Sequence, residues 1–377
     1  MKTGLYCHIP FCGSTCDFCA FYQEKPAKED LELYLKGMDS EFGLLPKDLK
    51  IETLFWGGGT PSLLSAKDLS RLGQSMLKNI NHDFTEWSVE MAPSTVKKDK
   101  LEVLKDLGVT RFSLGVQSFD GDLLEKLGRL HNPTQIYRAW ELIQSSGIEQ
   151  TNLDLMFALP HQTIEQWESD LTEANRLGSS HISTYCLTFE EDTALYAKLS
   201  RGELKIDEEK ERLFYERGWD LLESFGFKQY EISNFSRSEK ARCMHNVNTW
   251  RMNEWIGCGP SAASQFNHQR YKQTSSIQVW ADGLKGNKST FDEVSEVTES
   301  VRFIDRLIFG LRMNEGVSLS ELRERFSIPI FEEKLSQYFD QLIAEGYLNK
   351  TKDRLILTRE GQLKCDAIGS RLLSLES

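Results

Sequence analysis

The sequence predicts an α/β protein, a partial (β/α)6 barrel followed by a C-terminal winged-helix-like α+β module. Three observations carry that expectation. Strand-length apolar runs alternate with helix-length amphipathic stretches from Gly4 to about Cys186, the rhythm of parallel βα units. Glycine or polar positions recur at or near the ends of those runs: Gly57-Gly58-Gly59, Glu90, Gln117 and Asp154. The rhythm then stops, and from Glu299 helical stretches lead into a hairpin-like segment.

The strand candidates are Gly4–Ile9, Ile51–Trp56, Glu86–Met91, Arg111–Val116, Asn152–Ala158 and His181–Leu187. Between them stand helix candidates near Lys28–Leu44, Ala66–Asn79, Lys97–Leu107, Pro133–Ser145 and Ile164–Leu177. Ser65 with Asp68 reads as a capping box opening the second helix. Gly108 and Gly147 stand where C-terminal caps belong. Alternation alone fits an open doubly wound sheet as well as a barrel. The strand-end residues favour the barrel, whose top-face sites are built from those positions. Beyond residue 190, Glu203–Ser224 reads as a charged amphipathic helix, then short strands and turns run to Gln269. The C-terminal part reads as helices Val301–Leu311, Leu319–Phe326 and Ile330–Glu345, then the hairpin-like Gly346–Leu357. The chain thus divides into a barrel with its following helix and strand (1–232), a connecting segment (233–298) and the C-terminal module (299–377).

Composition bounds the function. Of 377 residues, 40% are hydrophobic and 27% charged, with a net charge of -12; that is globular composition with room for a buried core. No apolar run approaches the roughly 18–20 residues of a membrane span, and the first residues lack the apolar core of a signal peptide. The expected location is cytoplasmic. The acidic balance, with Lys+Arg matching Asp+Glu over 301–377, leaves no footprint for nucleic acid.

Four of eight cysteines, Cys7, Cys12, Cys16 and Cys19, fall together. In a reducing compartment such a cluster reads as metal-binding or catalytic. Cys12-x3-Cys16-x2-Cys19 follows the first strand directly, and soft thiolates suit zinc or iron–sulfur. Structural zinc prefers four ligands in separated pairs, which one compressed loop does not supply. A 4Fe-4S cluster on three cysteines leaves one iron open, a position that S-adenosylmethionine (SAM) can chelate. If Cys7 were a fourth ligand, the cluster would close and the protein would be an electron carrier. Strand alternation lets only one of Tyr6 and Cys7 face such a site.

Several motifs point the same way. Tyr6-x-His8-Ile9-Pro10-Phe11-Cys12, Gly57-Gly58-Gly59-Thr60-Pro61, Gly115-Val116-Gln117-Ser118-Phe119, Gly128-Arg129-x-His131 and Asp154-Leu155-Met156-Phe157-x-Leu159-Pro160 occur in that order. Together they resemble the radical SAM proteins of the oxygen-independent coproporphyrinogen III oxidase-like family, over almost the whole chain. Two features bear on the branch. The oxidase pattern has a further cysteine two residues after the third, where this chain has Phe21. The heme-chaperone branch has His-Asn-x-x-Tyr-Trp, and this chain has His245-Asn246-Val247-Asn248-Thr249-Trp250, with Thr249 in place of the tyrosine.

The resemblance implies a 4Fe-4S cluster on Cys12, Cys16 and Cys19. It implies SAM held by Tyr6, Phe18, Gly58, Gly59, Thr60, Glu90, Gln117, Arg129 and Asp154, and heme carried as cargo with His245 as its ligand. Cys243 is the alternative axial ligand. The partners it implies are heme, apo-hemoprotein clients (respiratory, some of them membrane-associated) and an electron donor for the cluster. The favoured reading is a heme chaperone without oxidase activity, and no residue is assigned a catalytic role. The alternative is oxidative decarboxylation of coproporphyrinogen III.

Overall fold

The computed structural model describes residues 3–81, 83–286, 290–327 and 333–376. Strands form where the apolar runs stand: β1 (Thr3–Ile9), β2 (Ile51–Gly58), β3 (Glu86–Met91), β4 (Arg111–Gln117), β5 (Gln150–Phe157) and β6 (His181–Cys186). Each pairs parallel with the next. The register sets Tyr6 opposite Phe55, Glu90 opposite Ser113 and Asp154 opposite both Gly115 and Ser183. The helices between them satisfy their own ends. Ser65 accepts from the Asp68 N–H, and Gly108 closes its helix at φ 99°, a left-handed conformation that glycine adopts without strain.

The sheet continues past these six strands. β7 (Lys228–Glu231) and β8 (Asn234–Ser236) extend it antiparallel beyond β6, in the order β6-β8-β7. On the other side β9 (Trp255–Cys258) pairs parallel with β1, and β10 (Ala263–Phe266), β11 (Gln269–Gln273) and β12 (Phe291–Glu296) follow antiparallel. Residues after 233 therefore flank the barrel strands on both sides. Side chains alternate between two layers. Leu5, Cys7, Leu54 and Trp56 join the apolar core beneath the helices, where Trp56 meets Trp87 edge-on at 5.0 Å. Each such buried ring contributes roughly 1.5–3 kcal/mol. Tyr6, Phe55, Glu90, Ser113, Asn152, Asp154 and His181 share the opposite face.

Some boundaries moved. The helix read as starting at Glu203 begins at Glu208, because Asp207 caps it by accepting from the Lys210 N–H. The sequence reading missed the short helices Gly121–Lys126 and Ala194–Ser200, each too brief for a periodic signal. At the C-terminus, helices Glu299–Leu311, Leu319–Arg325 and Glu333–Ala344 accompany β13 (Val317–Ser318), β14 (Leu348–Lys350) and β15 (Arg354–Leu357). Those strands form an antiparallel sheet in the order β13-β15-β14, the wing that the hairpin signal predicted. The expected first turn of the third helix, from Ile330, lies outside the described residues. The module packs back on the barrel: the Asn314 N–H donates to the Tyr230 carbonyl at 3.1 Å. Among the described residues no helix is long and apolar enough to cross a membrane.

Candidate functional site

Cys12, Cys16 and Cys19 ride on the loop leaving β1, and backbone bonds fix that loop on three sides. The Cys12 N–H donates to the Glu24 carbonyl at 3.0 Å, the Asp17 N–H to Leu127 at 3.1 Å, and the Leu195 N–H to Asp17 at 2.9 Å. Lys198 pairs with the Asp17 carboxylate at 3.0 Å, so the missed helix Ala194–Ser200 buttresses the loop. All three thiols are partly exposed. Burial pushes those of Cys12 and Cys19 up, and the Arg129 charge opposes it. Arg129 Nη1 donates to Cys16 Sγ at 3.5 Å, and Thr60 Oγ1 lies 3.5 Å from Cys12 Sγ. Cys7 is elsewhere: fully buried, its sulfur 4.0 Å from Met76 Sδ on the helix-facing side of β1. Tyr6 is the neighbour that faces the site.

The glycine run is a seam between β2 and this loop. Burial lowers the His8 pKa to about 4, so its ring is neutral. Nε2–H donates to the Tyr22 carbonyl at 3.1 Å, which leaves Nδ1 to accept from the Tyr6 hydroxyl at 3.1 Å. Gly58, at φ 103°, lies under that ring; a Cβ there would stand 2.5 Å from His8 Cε1. At Gly59 a Cβ would meet the Ile9 and Phe11 carbonyl oxygens at 2.8 Å. The Gly59 and Thr60 N–H groups donate to those same carbonyls at 2.9 and 2.8 Å. Both glycines thus make room for this chain's own groups.

Acidic and amide side chains gather beside the seam. The Gly58 N–H donates to Glu90 Oε2 at 3.2 Å. Burial and then the neighbouring Asp154 raise the Glu90 pKa to about 8. Burial also raises Asp154, against hydrogen bonds from Ser113 and Asn152 and the charge of Arg129. Asp154 lies deeper than the sequence suggested, inside β5 rather than at its end. Gln117 ends β4 at φ 66°, held there because Ser118 and Phe119 donate to Asp170 on the helix Ile164–Arg176, both at 2.7 Å. A Cβ on Gly115 would be 3.2 Å from Gln117 Nε2 and 3.6 Å from Arg129 Nη2. The Arg129 guanidinium also stands 5.4 Å from the Phe18 ring centroid, and Phe18 backs onto the cluster of Leu123, Met156 and Leu195.

These residues fit an amino-acid-bearing cation. Two buried carboxyls outnumber the one nearby guanidinium, and buried Gln117 Oε1 and Arg129 Nε have no hydrogen-bond partner among the described residues. Orphaned buried polar atoms are costly unless a ligand satisfies them. An ammonium and ribose hydroxyls suit Glu90 and Asp154; a carboxylate suits Arg129.

His245 is not among them. It sits on the short helix Met244–Trp250, packed under the opposite, amino ends of the strands. Its backbone N–H and that of Met244 donate to Glu86, both at 2.9 Å, and Arg111 pairs with Glu86 while donating to the Ala241 and Arg242 carbonyls. The ring is buried against Phe55, centroids 5.1 Å apart, with Nδ1 3.0 Å from Thr53 Oγ1. Burial lowers its pKa to about 4. Cys243, buried beside Glu86, has its thiol pushed up to about 12. Thr249 returns its hydroxyl to the His245 carbonyl at 3.0 Å, and Trp250 stacks near Phe309 with Arg312 over its ring. The functional reading missed Ser113, Asn152, Asp170 and Lys198. No local motif marks them, since each matters only through a partner distant in sequence.

Comparison with known proteins places the chain in a family. The Radical SAM superfamily pattern matches residues 6–174 and the HemN C-terminal domain pattern matches 299–363. Among curated relatives, the heme chaperone HemW of Bacillus subtilis is 31% identical over 372 residues, covering 96% of this chain and 97% of its own length. HemW of Escherichia coli is 31% identical over 376 residues, covering 96% and 95%. Coproporphyrinogen III oxidase (HemN) of E. coli, a radical SAM enzyme, superposes with a TM-score of 0.84 at 20% identity, covering 98% of this chain and 89% of that one; this is a likeness of fold. With near-complete coverage by curated relatives and the three-cysteine loop in place on β1, the chain belongs to the HemW family of the radical SAM superfamily.

Proposed function

We propose that this protein is a heme chaperone that binds a 4Fe-4S cluster through Cys12, Cys16 and Cys19, holds SAM beside it, and passes heme to apo-hemoproteins. The observation that carries the reading is the pairing of a three-cysteine loop with a fourth cysteine, Cys7, turned into the core. That division supports a cluster with one free iron corner. A bound cluster would place an electron donor beside the sulfonium. This chain's residues orient and enclose: Arg129 takes the SAM carboxylate, Glu90 its ammonium, Asp154 the ribose hydroxyls, and Gln117 offers both donor and acceptor. Tyr6, Phe18 and the Gly58-Gly59-Thr60 backbone bound the pocket. Phe21, where the oxidase pattern has cysteine, supports the chaperone over the oxidase. Heme is assigned to the His245 segment, whose ring, buried against Phe55, must turn outward before it can reach iron. Respiratory and membrane-associated clients, an electron donor and a cytoplasmic location belong to the same proposal.

The test uses one anaerobic, reconstituted preparation of the full chain. Iron and sulfide counts, the change in the reduced cluster's paramagnetic resonance on adding SAM, heme titration and coproporphyrinogen turnover are measured together. Cys7→Ala is expected to leave the cluster spectrum unchanged, whereas Cys16→Ala abolishes it. Protoporphyrinogen formation without heme binding would replace the chaperone by the oxidase.

A further inference from the structure

A continuous line of buried hydrogen bonds crosses the sheet from Asp154 to the segment carrying His245. Ser113 Oγ donates to Asp154 Oδ2 at 2.8 Å, and Asn152 Nδ2 donates to Asp154 Oδ1 at 2.8 Å. Asn152 Oδ1 then faces His181 Nδ1 at 2.6 Å, and His181 Nε2 faces the Tyr230 hydroxyl at 2.8 Å. The Tyr230 oxygen accepts the Cys243 N–H at 3.2 Å. One assignment of protons satisfies all of it. Because the Asn152 amide nitrogen is used on Asp154, its oxygen must accept, so His181 carries its proton on Nδ1 and Nε2 accepts from Tyr230. Every donor points the same way, from Cys243 towards the Asp154 carboxylate, and such aligned chains polarise one another in a low dielectric.

We propose that His181 and Tyr230 are positioning residues joining the two ends of this line, so that SAM bound at Asp154 orders the Cys243–Trp250 segment. The inference rests on the reading of Asp154 as a SAM contact. Ribose hydroxyls donating to Asp154 favour the ionised carboxylate, the form that accepts from both Ser113 and Asn152. That adds to the bonds Asn152 makes with Ser113 at 2.7 Å and Ser183 at 3.2 Å and tightens its amide, which fixes the His181 tautomer, which keeps Tyr230 turned to receive the Cys243 N–H. The same turn presents the Met244 and His245 N–H groups to Glu86. Reciprocity follows: whatever loosens the 243–250 segment weakens SAM binding by the same factor.

The experiment is hydrogen–deuterium exchange on the cluster-reconstituted full chain, with and without SAM, its binding confirmed separately by the cluster's paramagnetic resonance. Exchange over 243–250 is expected to slow about fivefold or more when SAM binds, the lower range of allosteric coupling. Tyr230→Phe keeps the ring and removes only the hydroxyl; in it SAM should still bind but leave 243–250 unaltered. His181→Gln gives a second break in the line if the first variant folds poorly. Unchanged or faster exchange in the wild type on SAM binding overturns the proposal, as does a Tyr230→Phe protein that responds like the wild type. Failure of SAM to bind at all overturns the SAM assignment instead, and this coupling with it.

Discussion

Arg129 donates to the Cys16 sulfur while its guanidinium covers the Phe18 ring, so one cation is shared between the proposed cluster loop and its aromatic wall. A positive charge next to a thiolate ligand stabilises the added electron of a reduced cluster. Arg129→Gln should therefore lower the cluster's reduction potential by tens of millivolts and weaken SAM binding, with iron content retained. A redox titration followed by paramagnetic resonance checks it; an unchanged potential would remove Arg129 from the cluster's surroundings.

Gly58 is where local geometry and the site meet. Its φ of 103° and the His8 ring at 2.5 Å from any added Cβ make Gly58→Ala costly twice, by backbone strain and by displacing His8. A loss of roughly 1–3 kcal/mol is expected from the backbone alone, read as a lower urea midpoint at unchanged slope. Moving His8 also frees the Tyr22 carbonyl, so cluster occupancy should fall as well. Gly108→Ala, equally left-handed but with open space around it, should lose stability without touching the cluster.

Glu41, with Glu90 and Asp170, makes stability depend on pH. Burial raises its pKa to about 7 against hydrogen bonds from Gly259 and Gln273. The folded state then keeps a proton that the unfolded chain releases above its ordinary value of 4.5. Stability from this group is present below that value and is lost as pH rises through about 7, by up to about 3 kcal/mol. Glu41→Gln should make the fall of urea stability between those pH values shallower, at some cost at low pH where one acceptor is missing. A wild-type stability that gains on the variant's as pH rises would reverse the sign and refute the assignment.

The sequence made the barrel legible because period-two and period-3.6 patterns survive without knowledge of partners, and the cysteine loop legible because its chemistry is local. Alternation allows only one of Tyr6 and Cys7 to face the site, and the structure turns Cys7 into the core against Met76. The depth of Asp154, the Ser113–Asn152–His181 line and the buttress from Lys198 to Asp17 were not legible. Each depends on strand register and on contacts across dozens of residues, which no window contains. His245 shows the same limit from the other side. Its motif named it, yet only the fold reveals that it lies beneath the strands, bonded to Thr53.

That bond gives the sharpest test of His245 as the heme ligand. His245→Ala alone is ambiguous, since removing a buried ring against Phe55 also leaves a cavity. Thr53→Val is nearly isosteric and removes only the hydroxyl 3.0 Å from Nδ1. A hydrogen bond of that kind contributes about 0.5–1.5 kcal/mol, so if heme must draw the imidazole away from Thr53, its loss should tighten heme binding by roughly two- to tenfold. The Soret maximum should stay where the wild type has it, because the ligand is the same. His245→Ala should shift or abolish that maximum, and the double variant should behave like His245→Ala. Weaker heme binding in Thr53→Val, with the fold intact by circular dichroism, would mean that Thr53 orients the imidazole for iron through Nδ1, whereas a Soret maximum indifferent to His245→Ala would mean that iron is held elsewhere.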